Sequence, residues 1–251
     1  MNSSQRDPSV TVVIPVYQSR LSEGEKISLQ QCMAVLQDYS VKIFKPRSLN
    51  LEHLKEQYPA IDLISFDDVH FTGIDAYNKL LISIEFYRSF LPYEYMLIYQ
   101  LDAFVFRDEL MQWCRKGYDY IGAPSLHQSE FDALPAGSAN VFAEALSSRR
   151  YVLNGGLSLR RIPAFIRYLK IYNRFYPPWT GNEDMLFSQE ATRLFPMKLF
   201  LKLPSWREAL HFSFEKSPAA TFELTNHELP FACHAWERYD PQFWKPYIPV
   251  K

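Results

Sequence analysis

Five alternating segments at the start of the chain constrain its fold more than any other feature. Val10 to Tyr17 is a β-branched apolar run ended by Pro15 and polar residues, the profile of a buried parallel strand. Ser22 followed by Glu25 makes a capping box for a helix through Tyr39, with Ile27, Leu29, Met33, Val35 and Leu36 as an imperfect apolar stripe. Val41 to Phe44 reads as a second strand, Leu51 to Tyr58 as a short helix before Pro59, and Ile61 to Phe66 as a third strand. Strand, helix, strand, helix, strand implies an α/β chain with a mostly parallel central sheet flanked by helices.

The remainder continues the pattern. Ile74 to Phe90 reads as one helix stopped by Pro92, with Ile74, Tyr77, Leu81, Ile84, Tyr87 and Leu91 at helical spacing. Tyr95 to Phe106 is an apolar run broken by Gln100 and Asp102, a central strand that delivers a carboxylate at its C-terminal edge, where open α/β sheets bind ligands. His127 to Leu146 lacks a period and reads as a loop with a short helix, a candidate mobile lid. Tyr151 to Leu159 contains Asn154, Gly155 and Gly156 and leads into a basic, aromatic helix from Pro163 to Phe175. Pro177, Pro178 and Gly181 force a turn before Glu183 and Asp184, and a helix follows from Asp184 to Leu194. The last third holds short strands at best.

With 251 residues and no linker-like stretch, a single domain over 1–251 is expected, with 1–9 flexible. Lys plus Arg number 27 against 28 Asp plus Glu, so no basic field exists to attract nucleic acid. Cys32, Cys114 and Cys233 are an odd, scattered set that forms neither a disulfide framework nor a metal knuckle, which points to a reducing compartment. No run approaches a membrane span of roughly 20 apolar residues, so a cytoplasmic protein is expected. Aromatics at 16% suit packing or ring stacking against a ligand.

Certain residues sit where packing alone explains them poorly. Asp102 lies among hydrophobes, and an unpaired buried carboxylate costs several kcal/mol, so it needs a cation, a donor or water; a helix cap is the alternative. Gly155 and Gly156 let backbone approach a ligand or simply make a tight turn. Glu183 and Asp184 open a helix, where they face a ligand or complement the dipole.

Asn78 to Leu81, Phe86 with Tyr87, Gln100 to Phe106, Tyr120 to Pro124 and Asn154 to Arg160 resemble a family of bacterial glycosyltransferase-like domains that carries only an "unknown function" label. The resemblance covers roughly residues 10 to 248. The layout is also similar to GT-A glycosyltransferases, which implies a single GT-A-like (Rossmann-like) domain that moves a sugar from a nucleotide-diphosphate donor, UDP-linked by expectation, to a glycan hydroxyl in polysaccharide or glycoconjugate synthesis. Pro15, Val16 and Tyr17 then open the donor pocket, Tyr17 stacks on the base and Lys79 meets the diphosphate. Gln100 and Asp102 occupy the Asp-X-Asp position that holds Mn²⁺ or Mg²⁺. Only the second acid is kept, and the resemblance supplies His234 as a further metal ligand; a packed core histidine is its alternative. Asn154, Gly155 and Gly156 line the donor pocket, Asp184 is the base of an inverting transfer, and Glu183 binds acceptor hydroxyls.

Arg161, Arg167, Lys170 and Arg174, interleaved with Phe165, Tyr168 and Tyr172, form either a solvated helix face or a contact with an anionic membrane bearing a lipid-linked acceptor at its inner face. Two rival functions remain. A nucleotidyltransferase would need a Gly-rich basic loop after the first strand, which Gln18 to Ser22 lack; an inactive glycan-binding or scaffold domain is supported by Gln100.

Overall fold

The structure is a computed structural model that describes residues 7–125, 134, 136–148 and 151–249. Its main sheet has six strands in the order β3-β2-β1-β4-β7-β6: β1 (Val10–Pro15), β2 (Ser40–Pro46), β3 (Ile61–Phe66), β4 (Tyr95–Tyr99), β7 (Val152–Arg161) and β6 (Tyr120–Ser125). Every pairing from β3 to β4 is parallel, and β7 alone runs antiparallel, between β4 and β6. All six residues of β1 are buried, as a strand covered on both faces requires. The expected mostly parallel, helix-flanked α/β architecture is present.

The topology sets the place of the site. From β1 the chain moves outward through β2 and β3, then returns to place β4 on the other side of β1. Strand order therefore reverses between β1 and β4, and a crevice opens beyond their C-terminal ends. Because β7 runs the other way, its beginning lies beside the end of β4, with Leu157 opposite Tyr99.

A second sheet of three short strands, in the order β5-β9-β8, joins β5 (Phe104–Val105), β8 (Ser213–Phe214) and β9 (Ala232–Cys233). The single strand expected over Tyr95–Phe106 is thus two strands in different sheets, separated by a turn at 100–103 that Ala103 N–H closes onto the Gln100 carbonyl at 2.9 Å.

Helix boundaries follow their caps. The Ser22 box is formed in both directions, and its helix, Glu23–Val35, stops short of Tyr39. The continuous helix expected over Ile74–Phe90 is two, Ile74–Leu81 and Ile84–Arg88. Ser83 caps the second by accepting from the Phe86 N–H at 3.2 Å, a local bond that competes with helix continuation. Glu183–Met185, Leu186–Glu190 and Ala191–Arg193 run on as helical turns, the middle one a wide π-turn that buries three successive residues, Leu186, Phe187 and Ser188. Of the lid expected at 127–146, residues 127–133 and 135 lie outside the described residues, and the later part holds the helix Ala139–Ser148. Of the terminal segment expected to be flexible, 1–6 is likewise outside them, while Asp7 pairs with Arg115 at 2.8 Å. All three cysteines are buried free thiols, and no described helix is long and apolar enough to cross a membrane.

Candidate active site

A cleft of about 540 Å³ opens where the topology places it, lined by Pro15 at the end of β1, Tyr17 just after it, and Gln100 and Asp102 after β4. Tyr77, Glu25 and Glu237 also face it, and among the described residues no Lys or Arg does. Val16 does not line it: at 2% exposure its side chain belongs to the core, as the alternation beyond a buried strand dictates. Lys79 is also absent, because it lies on the exposed side of its helix and borders a neighbouring surface hollow.

The small sheet gathers the chemistry. Antiparallel pairing of Phe104 with Cys233 sets His234 against Asp102, and parallel pairing of Phe214 with Cys233 sets Glu215 beside His234. His234 Nε2 stands 3.1 Å from Asp102 Oδ1, and its Nδ1 stands 3.3 Å from Glu215 Oε1. The Asp102 contact is an ion pair off the hydrogen-bond axis, since Oδ1 is buried without an aligned donor. Burial opposes charge on His234, yet the carboxylates of Asp102 and Glu215 prevail and push it up to about 10. Burial likewise works against ionised Asp102, and the imidazole outweighs it, holding Asp102 below the usual carboxylate value. Gln100 Oε1 lies 3.3 Å from His234 Nε2, and its amide donates to the Tyr77 hydroxyl at 3.4 Å.

The glycine turn of β7 closes this network from the side. Gly156 carbonyl accepts the Gln100 N–H at 2.9 Å, and Asn154 Oδ1 accepts the Gly156 N–H at 2.7 Å while its Nδ2 donates to Glu215 Oε1 at 2.8 Å. A Cβ on Gly156 would come 2.1 Å from His234 Nε2, and one on Gly155 would come 2.0 Å from Glu183 Oε1. Both glycines are therefore close-approach positions, one admitting the His234 ring and the other the Glu183 carboxylate.

Glu183 and Asp184 sit beyond Gly155. Glu183 is 5% exposed and accepts from the fully buried Arg160 guanidinium at 2.9 Å. Arg160 also donates to the Tyr87 hydroxyl, Ser158 Oγ and the Gly155 carbonyl, which anchors Glu183 to β7. Glu183 Oε2, Asp184 Oδ1 and Glu215 Oε2 are buried without a hydrogen-bond partner. Burial first, then repulsion from the Glu183 and Glu215 carboxylates, pushes Asp184 up to about 7.

Sequence reasoning missed Glu215, the ion-pair role of Arg160, and Tyr77 as a cleft residue. Tyr77 carries a helical-face signal that core packing explains equally well, and a lone Glu between Phe214 and Lys216 has no local signal at all. Among the described residues no group of three or more His, Cys, Asp and Glu is arranged to hold a metal ion unaided.

Solved glycosyltransferases are among the structures this chain resembles. An active-site mutant of LgtC matches with 12% identity over 89% of this chain and 86% of its own, at a TM-score of 0.51. The WbbM bifunctional glycosyltransferase, in its apo form, matches with 13% identity over 92% of this chain and 46% of its own, at 0.50. The mannosyltransferase PcManGT from Pyrobaculum calidifontis, solved with GDP-Man and Mn²⁺, matches with 14% identity over 80% of this chain, at 0.47, and the chain spans 55% of its length. The first two of these show a GT-A-like fold. Residues 60–234 match the family described as "Protein of unknown function (DUF5672)", and the chain belongs to that family. No curated protein matches the sequence.

Proposed function

We propose that the chain transfers a sugar from a nucleotide-diphosphate donor, a UDP-sugar, to a glycan hydroxyl. One observation carries the reading: the cleft at the β1/β4 reversal is lined by Asp102, which pairs with His234 behind it, and next to the Glu183 that Gly155 admits stands a carboxyl, Asp184, whose proton affinity is raised to about 7. Tyr17, 61% exposed at the mouth, supplies a ring on which a base can stack. Lys79 at the neighbouring hollow is a reach-in contact for a phosphate.

The donor set fits a divalent cation. A diphosphate entering a cleft bordered by Glu25, Asp102 and Glu237, with no Lys or Arg among its described lining residues, meets a lining whose acids are offset only by the His234 imidazole behind Asp102. Mn²⁺ or Mg²⁺, held by Asp102 and by His234 once the cation displaces the proton from Nε2, with the Gln100 amide oxygen close by, would neutralise the departing diphosphate. Glu215 would keep its contact with Nδ1 and so fix the ring with Nε2 toward the cleft, the role a supporting carboxylate has on a ligating imidazole.

In an inverting transfer Asp184 takes the acceptor hydroxyl's proton as its oxygen attacks the anomeric carbon. A carboxyl near neutrality suits that proton transfer, being ionised often enough to accept and basic enough to help. Arg160 fixes Glu183, leaving Oε2 for acceptor hydroxyls and holding Asp184 in register. A second reading, an inactive glycan-binding or scaffold domain, is favoured by Gln100, whose amide is committed to Tyr77 and His234 where the first acid of the motif would stand. A thermal-shift screen of nucleotide sugars with and without Mn²⁺ separates the two, because a ligand bound only by the folded state raises the midpoint. A metal-dependent rise with a UDP-sugar, followed by slow hydrolysis of that donor, supports transfer. Binding of free glycan without any response to nucleotide sugars supports the scaffold.

A further inference from the structure

The basic, aromatic helix Ile162–Phe175 divides its side chains by chemistry. Phe165, Tyr168 and Tyr172 are buried against the sheet, so the aromatics that alternate with its cations do not face outward. Arg161 is also occupied, bonded to Glu94 at 2.8 Å. The helix presents to solvent Pro163 and Asn173 together with the cations Arg167, Lys170 and Arg174, then Phe175 at its end.

A second segment completes this face. Tyr176 hydroxyl donates to the Phe195 carbonyl at 3.0 Å and Arg167 to the Phe200 carbonyl at 3.3 Å, which brings 195–200 alongside the helix. Phe175, Phe195 and Leu199 are 73%, 72% and 69% exposed, three of the most exposed large apolar side chains among the described residues. Lys198 lies over the Phe195 ring at 5.7 Å. No Asp or Glu occurs in 162–182 or in 191–202. Among the described residues Arg167, Lys170, Arg174 and Lys198 make no ion pair, whereas Arg193 nearby is neutralised by Glu190.

Protruding apolar tips ringed by unpaired cations match the boundary of an anionic bilayer, where rings and aliphatic chains enter between headgroups and ammonium and guanidinium groups meet phosphates. We propose that this face docks the protein peripherally on an anionic phospholipid membrane. A second copy fits less well, because a two-fold contact would set the four cations against themselves. The helical run Glu183–Arg193 has the candidate site at its start and this face beyond its end, so docking would hold the site near the bilayer. Nothing in this face depends on the sugar-transfer chemistry.

Flotation with vesicles tests it, using phosphatidylcholine alone and phosphatidylcholine mixed with phosphatidylserine. The wild-type chain is expected to bind only the mixed vesicles and to be released by salt. Each cation near such a surface contributes about fivefold to partitioning, so combined Lys170→Gln, Arg174→Gln and Lys198→Gln should weaken binding by roughly 100-fold. Phe195→Ser with Leu199→Ser should weaken it further while leaving the thermal midpoint unchanged. Equal binding to both vesicle types, no binding to either, or unaltered binding by the triple variant would overturn the proposal. So would sedimentation showing a dimer that Phe195→Ser with Leu199→Ser converts to a monomer, which assigns the face to a second copy.

Discussion

Asp184 shows how one residue's surroundings set both its chemistry and its cost. Its folded-state value of about 7 lies above the ordinary carboxyl value of 3.8, so an unfolded chain releases this proton first as pH rises. The folded state is then unpenalised below about pH 4, loses stability as pH climbs toward 7, and bears the full cost above it. Asp184→Asn removes that cost, and its thermal midpoint should exceed the wild-type one by a margin that grows from pH 4 to pH 8; an equal margin at both pH values would contradict the burial effect. The same variant cannot accept a proton, so turnover should fall by roughly 10²- to 10⁴-fold with donor affinity nearly unchanged, and wild-type turnover should rise with pH through about 7. Near-normal turnover, or a product of retained anomeric configuration by proton NMR, would leave Asp184 without the role of base. Gly156→Ala belongs beside it: a methyl 2.1 Å from His234 Nε2 must displace the ring, so divalent-ion affinity should drop while the fold persists. Unchanged metal affinity would show that His234 is not a ligand.

At the scale of elements, the Arg160–Glu183 pair ties β7 to the helical run that begins at Glu183, with Arg160 fully enclosed. Removing one partner strands a buried charge. Arg160→Met should cost about 3–5 kcal/mol in urea denaturation, and adding Glu183→Gln should recover a large part of it; simple additivity of the two would rule out direct coupling. The sequence showed β1 to β3 and the Ser22 cap because those signals are local: β-branched runs, a capping box, proline stops. It did not show that Tyr95–Phe106 splits between two sheets, since both halves are apolar and only pairing partners about 130 residues away, Ala232 and Cys233, distinguish them. The Ile74–Phe90 break was hidden by an apolar stripe that keeps helical spacing across Ser83. Asp102, Gly155, Gly156 and Asp184 could be named as candidates from local oddity or resemblance, whereas Glu215 is brought to His234 by the β8–β9 pairing alone.

Over the whole molecule, net charge is −1, and the cleft concentrates negative charge where an anionic donor would have to lie. That conflict is what the proposed function must answer: on that proposal a diphosphate enters this cleft together with a cation held at Asp102 and His234. Isothermal titration of a UDP-sugar into the wild-type chain and into Asp102→Asn, each with and without Mn²⁺, measures this directly. Binding that requires Mn²⁺ in the wild type and is lost in Asp102→Asn is the expected result; equal affinity with and without the metal, or an Asp102→Asn protein that binds as the wild type does, would contradict it.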